Sequence, residues 1–268
     1  MRGADGQLSG KQGQVLLVKL PINDQAAVVG KFLGRTVPFF PNGEGHAGLL
    51  GIDLQDQPGT HELVIEATEP TGVRRLSYNV LVIKEKYPVQ HLTLPKDKVD
   101  LDEESLARVK TEQQQVKALL EAVSQDRLWE GQFVEPVHGP VTGAFGRLRV
   151  INGRPRSPHN GEDIAAPLGT DVVAMNRGVA RLTVDHFFSG KGVFVDHGLG
   201  LYSMYFHLSE ILVQDGQRIE RGQVIGRVGA SGRASGPHLH WGVRLNGARV
   251  NPYSLLELPI EGLALAGR

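Results

Sequence analysis

The sequence predicts a mainly β protein in which one helical segment joins two β-rich parts. Three observations predict this architecture: short apolar stretches separated by turn residues, 34 glycines in 268 residues, and a single stretch with helical apolar spacing. We expect an N-terminal immunoglobulin-like β-sandwich over residues 1–85, a linker with an amphipathic helix over 86–127, and an antiparallel β domain over 128–268.

The first part consists of short strand-like segments at close intervals. Turn signals separate them, such as Pro41-Asn42-Gly43 and Gln57-Pro58-Gly59. This spacing is typical of a small sandwich, and His46 and His61, which stand alone, are interpreted as surface residues. The predicted strands are Val15 to Leu20, Ala26 to Phe32, Thr36 to Phe40, Gly48 to Leu54, His61 to Glu66 and Val73 to Ile83.

A linker and one helix follow the sandwich. Residues 86–100 contain Pro88, Pro95 and mixed charges, which favours a linker. From Asp102 to Gln125 the apolar residues recur at helical spacing, and acidic residues at the start suit a helix N-terminus. We expect the apolar stripe to pack against the protein itself, with partner binding as the alternative. The stripe comprises Leu106, Val109, Val116, Leu119, Leu120 and Val123.

The second β-rich part runs from Leu128 to Pro259 and is predicted to be predominantly antiparallel. Glycine-rich turns such as His197-Gly198-Leu199-Gly200 separate its strands. The predicted strands are Val172 to Ala174, Gly178 to Phe187, Gly192 to Asp196, Leu201 to Phe206, Gln223 to Val228 and His238 to Leu245.

Composition excludes several classes of protein. Basic and acidic side chains number 29 each, which gives no indication of nucleic-acid binding or of a polybasic membrane contact. The absence of cysteine excludes disulfides, thiolate metal sites and cysteine nucleophiles. No apolar run approaches the roughly 20 residues of a transmembrane helix, and the N-terminus lacks the apolar stretch of a signal peptide. We therefore expect a cytosolic protein or a mature chain whose signal peptide has been removed.

The segment Ser231 to Val243 carries two histidines in an H-x-H arrangement. On a strand that starts near His238, the side-chain period of two places His238 and His240 on one face and Leu239 and Trp241 on the other. Two neighbouring imidazoles suit metal ligation, proton transfer, or one of each. The pair alone is a weak signal, and spacing alone does not decide which histidine would be a ligand.

Two other segments supply the groups that such a site needs. His159 and Asp163 lie four residues apart, and Gly161 between them is expected to let the backbone fold tightly enough for both to reach one ion. Two imidazoles and one carboxylate suit Zn²⁺ and leave a fourth position for a water that the metal activates. His207 is a further histidine at a predicted strand end, so the histidines that are not ligands could act on protons and on the oxyanion.

These motifs resemble the LytM/lysostaphin-type zinc endopeptidases, peptidase family M23. The resemblance covers roughly Trp129 to Pro252, and the order and spacing of its motifs are specific. The first half of the chain is similar only in outline to the β-sandwich and helix that precede the peptidase domain in some bacterial members. The motifs are Phe145-Gly146, Asn152-Gly153, His159-x-x-x-Asp163, Ala166-Pro167-x-Gly169-Thr170, Asp196-His197-Gly198, Tyr205-x-His207-Leu208-Ser209 and Gly236-Pro237-His238-Leu239-His240.

The resemblance implies a role for each of five residues. His159, Asp163 and His240 would bind Zn²⁺, and His207 and His238 would be the catalytic histidines. All five positions match the family pattern, which argues against the members that have lost ligands and act as amidase activators. The remaining histidines are interpreted as surface or structural residues (His91, His138 and His186) and as a turn residue (His197).

The implied function is a zinc metalloendopeptidase that hydrolyses peptide cross-links of bacterial peptidoglycan through a metal-activated water, in the periplasm or outside the cell. Two alternatives are a non-enzymatic regulator that binds cell wall or activates an amidase, and an adhesion module in which the sandwich is the working part. No protein partner is implied. The sandwich and helix could cover the catalytic groove, with the loop Phe39 to His46 reaching it, or could pack behind the peptidase domain.

Arginines are concentrated in the second part of the chain. From Arg127 onward there are 15 basic and 12 acidic side chains, and 14 of the 15 are arginine. Arginine suits bidentate recognition of carboxylates. The arginines that precede His159 and the H-x-H pair could therefore bind carboxylates of a substrate peptide, or could be solvated loop residues. They are Arg147, Arg149, Arg154, Arg156 and Arg233.

Overall fold

The structure, a computed structural model, describes residues 7–70, 72–93, 101–260 and 263. Most of its regular structure is strand, so the predicted mainly β fold class is confirmed. Residues 94–100 of the predicted linker, and the outermost residues of the two predicted terminal domains, lie outside the described residues. No helix among the described residues is both long enough and apolar enough to cross a membrane.

Two sheets form the first part of the chain. One contains β1, β8, β7, β3 and β4 in that order, and the other contains β2, β6 and β5. All six predicted strands overlap observed ones, whereas β1 and β9 were not predicted. The bounds are β1 Leu8–Lys11, β2 Val15–Leu20, β3 Ala27–Phe32, β4 Arg35–Pro38, β5 Phe40–Pro41, β6 His46–Gly51, β7 Gly59–Glu69, β8 Gly72–Ile83 and β9 Val89–Leu92.

The two N-terminal sheets pack through one apolar core. In β7, Leu63, Ile65 and Ala67 are fully buried, while the residues between them keep some exposure. This alternation places every second side chain on the inner face of the sheet. These residues share their core with Phe32 and Leu50, so the two sheets pack face to face in two layers.

Strand β6 is buried on both faces, a feature that the sequence pattern does not predict. Leu50 enters the core between the two N-terminal sheets, whereas Leu49 points the other way into a second core with Val15 and Trp129. That second core belongs mainly to the C-terminal part of the chain. The first part is therefore packed against the second through a shared apolar interface.

An ion pair reinforces this interface. Arg249 Nη2 lies 2.6 Å from Asp53 Oδ1, and Arg249 Nε lies 2.9 Å from Asp53 Oδ2. Burial raises the pKa of Asp53, but the hydrogen bonds from Arg249 outweigh burial and hold that pKa below its ordinary value. The bidentate geometry fixes the orientation of the two parts as well as their contact.

The two isolated N-terminal histidines differ in their surroundings. His46 is only 1% exposed, and its Nδ1 lies 3.3 Å from the carbonyl oxygen of Ile22. The interpretation of His46 as a surface residue is therefore wrong, because strand β6 is covered on both faces. His61 keeps partial exposure, with its Nε2 2.6 Å from the carbonyl oxygen of Gln57.

The segment predicted as a linker contains a strand. Strand β9 pairs in parallel with β11 (Leu148–Ile151), so that Val89 lies opposite Leu148. Helix α1 (Glu103–Glu121) follows and ends before the predicted Gln125. Its N-cap is Asp102, whose Oδ1 accepts a hydrogen bond from Ser105 N at 2.7 Å.

The C-terminal part is built on a ten-stranded sheet. Its main path is β10, β13, β20, β17, β16, β15 and β18, and each neighbouring pair is antiparallel, as predicted. The bounds are β10 Val141–Gly143, β11 Leu148–Ile151, β12 Arg154–Pro155, β13 Gly161–Ala165, β14 Asp171–Val173, β15 Gly178–His186, β16 Gly190–Asp196, β17 Leu201–Ile211, β18 Arg218–Ile219, β19 Val224–Val228, β20 His238–Leu245, β21 Ala248–Val250 and α2 Tyr253–Leu256.

Strand β20 shows the predicted alternation. Leu239, Trp241 and Val243 are fully buried in the core of the C-terminal part. His238 and His240 project from the opposite face of the sheet, because side chains alternate along a strand. Complete burial of a large apolar side chain contributes roughly 1.5–3 kcal/mol, so the reverse face fixes which way the two histidines point.

His197, interpreted from the sequence as a turn residue, lies between the end of β16 and the turn that precedes β17, and it is completely buried. Its Nδ1 lies 2.6 Å from the carbonyl oxygen of Arg177, and its Nε2 lies 2.7 Å from Ser203 Oγ. Burial lowers the pKa of His197 to about 4, although the hydrogen bond to Arg177 acts in the opposite direction. The folded protein therefore keeps this imidazole neutral at pH values where an unfolded histidine is protonated.

We predict an acid-sensitive stability that depends on His197. Because its pKa is depressed in the folded state, the stabilisation is present above the unfolded pKa of roughly 6.5 and is lost as the pH falls towards the folded value. Between pH 7.5 and pH 5 the unfolding free energy of the wild type should fall by about 2 kcal/mol more than that of His197→Gln. Urea denaturation at both pH values measures this difference, and equal losses in the two proteins would contradict the assignment.

Candidate metal centre

The pairing of β13 with β20 brings the first two candidate ligands together. Asp163 lies directly opposite His240 in the antiparallel register, and directly opposed residues share one face of a sheet. Asp163 Oδ1 is 2.8 Å from His240 Nδ1. Two residues 77 positions apart in sequence therefore form one polar contact.

His159 reaches the same point from the segment that precedes β13. Its Nε2 is 3.0 Å from Asp163 Oδ1 and 3.1 Å from His240 Nδ1. Its Nδ1 lies 3.1 Å from the carbonyl oxygen of Ala144, which accepts the ring N–H. That hydrogen bond leaves the lone pair of Nε2 facing the other two residues, the arrangement that metal-binding histidines use.

Gly161 is required because its position is crowded, and not because the backbone turns sharply there as predicted. Residues Gly161–Ala165 form a strand, so the expected tight fold of the backbone between His159 and Asp163 is wrong. A Cβ atom at Gly161 would meet the carbonyl oxygen of Trp241 at 2.5 Å and His240 Nε2 at 2.7 Å. The glycine therefore permits the close approach of β13 to the imidazole of His240.

The three residues fit a metal ion in both geometry and charge. Their ligand atoms are 2.8–3.1 Å apart, close to the separation of about 3.3 Å expected for tetrahedral ligands at zinc-like bond lengths. Burial raises the pKa of Asp163, but the polar contacts with His159 and His240 outweigh burial and leave that pKa well below its ordinary value. Burial lowers the pKa of His240. Metal binding requires an ionised carboxylate and unprotonated imidazole nitrogens, and these three residues could hold an ion.

His207 reaches the site through a β-bulge. Val193 pairs with Tyr205 and Lys191 pairs with Leu208, so that two residues of β17, Phe206 and His207, oppose one residue of β16. His207 has a φ of 63°, a left-handed conformation that is costly for a residue other than glycine. The bulge directs both Phe206 and His207 to the face of His240, while Leu208 returns to the core.

His238 lies beside His207 at the edge of the candidate ligands. The centroids of the two rings are 4.7 Å apart, and His238 Nε2 is 3.8 Å from Asp163 Oδ1. The Nδ1 atoms of His207 and His238 lie 2.8 and 2.9 Å from the carbonyl oxygens of Ser231 and Gly236. These carbonyls hold the protons on Nδ1 and leave each Nε2 available for proton transfer.

Of the five arginines that the sequence suggests for carboxylate binding, three lie near one another in the structure. Arg147 donates to the carbonyl oxygen of Thr142 at 3.1 Å, and Arg154 is exposed in β12. Arg149 lies 3.8 Å from Asp163, measured from Nη2 to Oδ2. Arg149 and Arg156 lie close enough to Arg233 that their charges lower its pKa, in addition to the effect of its own burial.

Helix α1 lies on the same face of the sheet as the histidines. Val116 and Leu119 of α1 pack against the cluster that contains Met204 of β17, and Phe206 packs against the same cluster. Phe206 also stacks on His240, with ring centroids 5.7 Å apart and planes 8° from parallel. Phe206 is a residue of the site that is not predicted from the sequence, although it is the unspecified position in the Tyr205-x-His207 motif.

Beside the contact of α1 with this face lies a cleft of about 450 Å³, which adjoins the candidate metal centre. The cleft is lined by Phe206, Asn160 and Ser189. Asn160 follows His159 in the sequence, and the carbonyl oxygen of Ser189 accepts a hydrogen bond from the backbone N–H of His207. The sandwich packs elsewhere: Gly51 of β6 faces Leu245 on the reverse side of β20. The loop from Phe39 to His46 does not reach the site, since Phe40 packs on Trp129 and His46 is buried in the sandwich.

Comparison with known proteins gives the same assignment for this region. The model of peptidase family M23 matches residues 157–252, which include all five predicted site residues. The crystal structure of a Pseudomonas aeruginosa protein assigned to the M23 peptidases is 33% identical to this chain, with a TM-score of 0.73. That match covers 91% of this chain and 94% of the other. The chain belongs to peptidase family M23.

The curated relatives ShyA and Mpg each match less than half of this chain. The peptidoglycan DD-endopeptidase ShyA of Vibrio cholerae is 45% identical over 95 residues, which are 35% of this chain and 22% of ShyA. The DD-carboxypeptidase/endopeptidase Mpg of Neisseria meningitidis is 41% identical over 110 residues, which are 41% of this chain and 25% of Mpg. The chain thus matches about a quarter of the length of these two relatives.

We predict that Gly161→Ala disrupts the metal centre while Gly236→Ala preserves it. The new methyl group at position 161 would displace His240 and should weaken metal binding at least about 10-fold, the effect typical of disturbing a ligand's support. Gly236 has no atom within 4 Å of the corresponding position and no positive φ, so it is the matched control. Titration with metal after chelation measures both affinities, and equal affinities would contradict the steric argument.

Proposed function

We propose that this protein is a zinc-dependent endopeptidase that hydrolyses peptide cross-links of bacterial peptidoglycan, in the periplasm or outside the cell. The observation that carries the proposal is the convergence of His159, Asp163 and His240 with two further histidines on one face of an M23-family sheet. The names of the relatives ShyA and Mpg support a substrate with D-D peptide bonds.

The donor set supports zinc as the ion. Two imidazole nitrogens and one carboxylate oxygen are the ligands that Zn²⁺ takes in catalytic sites, where a fourth position remains open. We assign His159 Nε2, Asp163 and His240 Nδ1 as the ligands, because these atoms face one another. Bound there, the ion would polarise the scissile carbonyl and lower the pKa of water.

His207 and His238 would manage the protons of the reaction. Burial lowers the pKa of His207 to about 4, opposed in part by its hydrogen bond to Ser231, so its Nε2 is a free acceptor at neutral pH. One of the two histidines would take the proton of the attacking water at its Nε2, while the other, when also protonated on Nε2, would donate a hydrogen bond to the oxyanion. The protonated histidine would then give its proton to the leaving amine, which restores its neutral form.

The cleft beside α1 supports a long peptide substrate. It adjoins His159 and His207 and is lined by apolar side chains of both α1 and β17. A peptide cut at the metal centre could extend into this cleft in one direction and remain in solvent in the other. Helix α1 would then be one wall of the substrate site.

Digestion of defined cross-linked muropeptides tests the proposed function. Incubation with the zinc-loaded full chain, followed by mass spectrometry, should show new amino and carboxyl termini at the cross-link and no change in the glycan strands. A chelator should abolish the products and added zinc should restore them. Stoichiometric zinc without hydrolysis of any muropeptide would instead favour a non-enzymatic regulator.

We predict that ligand and proton-transfer variants separate in their metal content. His159→Ala and Asp163→Ala should lose zinc and hydrolysis together. His207→Asn and His238→Asn should retain about one zinc per chain, yet kcat/KM should fall by roughly 10²–10⁴-fold, the contribution usual for general acid–base groups. Asparagine tolerates the positive φ at position 207.

Elemental analysis and peptide hydrolysis measure the two properties on the same preparations. Loss of zinc from His238→Asn together with its retention in His240→Asn would show that the roles of the two residues are reversed.

A further inference from the structure

Arg149 approaches the metal centre, and Arg156 and Arg233 belong to neighbouring segments whose side chains are exposed. Arg149 Nη2 lies 3.8 Å from Asp163 Oδ2, and the backbone N–H of Arg156 donates to the carbonyl oxygen of Arg149 at 2.8 Å. Arg233 follows Ser231 by two residues, and the carbonyl of Ser231 accepts the ring N–H of His207 at 2.8 Å. The three side chains thus come from segments that flank both the proposed ligands and the proposed proton-transfer residues.

An aromatic ring supports the position of Arg233. Its Cζ lies 4.1 Å from the ring centroid of Phe188, and its backbone N–H donates to the carbonyl oxygen of Phe188 at 2.8 Å. Arg233 is exposed, but partial desolvation of its guanidinium, together with the positive charges of Arg149 and Arg156, lowers its pKa. The guanidinium groups are therefore near enough to repel one another while all of them remain charged.

Acidic side chains among the described residues balance only part of the positive charge of this cluster. Among the described residues, Arg156 and Arg233 take part in no ion pair. The carboxylate near Arg149 is Asp163, which is a proposed metal ligand, and Arg149 Nε is buried without a hydrogen-bond partner. Adjacent guanidinium groups with unused donors match the bidentate hydrogen bonding of a carboxylate.

We infer that Arg149, Arg156 and Arg233 bind a free carboxylate of the substrate, carried by the carbon to which the scissile nitrogen is attached. From standard bond lengths, such a carboxylate lies about 3–4 Å from the scissile carbonyl carbon. A carboxylate in that position falls beside the metal centre, where Arg149 already approaches Asp163. Binding it also relieves the mutual repulsion of the three guanidinium groups.

This inference rests on the proposed function and narrows its substrate class. Cross-links through diaminopimelate attach the scissile nitrogen to a carbon that bears a carboxylate. Lysine lacks that carboxylate but otherwise has the same side chain as diaminopimelate. A cross-link through the side-chain amine of lysine therefore differs only at this group. The arginine cluster therefore selects diaminopimelate-type cross-links, and also C-terminal D-amino acids, whose carboxylate occupies the same position.

A pair of matched substrates tests the inference on the full zinc-loaded chain. Two synthetic cross-linked peptides would differ only in whether the acceptor residue is diaminopimelate or lysine. The wild type should cleave the first with a kcat/KM at least about 10-fold higher, which corresponds to roughly 1.4 kcal/mol. In Arg156→Gln and in Arg233→Gln, the ratio of the two kcat/KM values should fall towards one.

Arg154→Gln is the matched control, because Arg154 is an exposed arginine in β12, next to but outside the cluster. It should keep the wild-type ratio. The ratio distinguishes carboxylate binding from a structural role, since a misfolded variant loses both activities together.

Each outcome has a definite meaning. Equal cleavage of the two peptides by the wild type would overturn the inference and leave the proposed function intact. A preference that survives both Arg156→Gln and Arg233→Gln would also overturn it, because another group would then bind the carboxylate. Cleavage of neither peptide, by a chain that retains zinc, would overturn the proposed function itself.

Discussion

The antiparallel register between β13 and β20 is the contact on which the candidate metal centre depends. It places Asp163 opposite His240, and His159 joins them from the residues just before β13. A slip of one residue would turn Asp163 to the reverse face, because the side-chain period of a strand is two. The buried reverse face opposes such a slip, since Ile164 and Trp241 would then leave the apolar core. Core packing on one side of the sheet thus holds the polar geometry on the other.

The sandwich and α1 contact opposite sides of the sheet that carries the site. The sandwich packs against the reverse side of the sheet through β6 and the Asp53–Arg249 ion pair, whereas α1 lies on the side that carries the histidines. The boundaries at residues 85/86 and 127/128 stay predictions. Because Leu49 and Trp129 share one core across the second boundary, removal of the first part would expose apolar surface of the peptidase part. The full chain is therefore the appropriate form for activity measurements.

The sequence was sufficient for features that depend on local periodicity. The common face of His238 and His240 follows from the alternation of a single strand, and the start of α1 follows from Asp102 and its neighbours. Features that depend on pairing between distant segments were missed. Asp163 belongs to a strand whose partner lies about 77 residues away, and the bulge at His207 exists only relative to β16. His46 was misinterpreted for the same reason, since its burial depends on strands on both sides of β6.

Anomalous diffraction at the zinc absorption edge, from crystals of the full chain, would locate the ion directly. We expect a single strong peak within about 2.0–2.2 Å of His159 Nε2, an Asp163 carboxylate oxygen and His240 Nδ1. The Nε2 atoms of His207 and His238 should lie beyond bonding distance of that peak, on the same face of the sheet. A peak bonded to His207 or His238 in place of one of the three proposed ligands, or no peak between β13 and β20 in zinc-loaded crystals, would contradict this assignment of the centre.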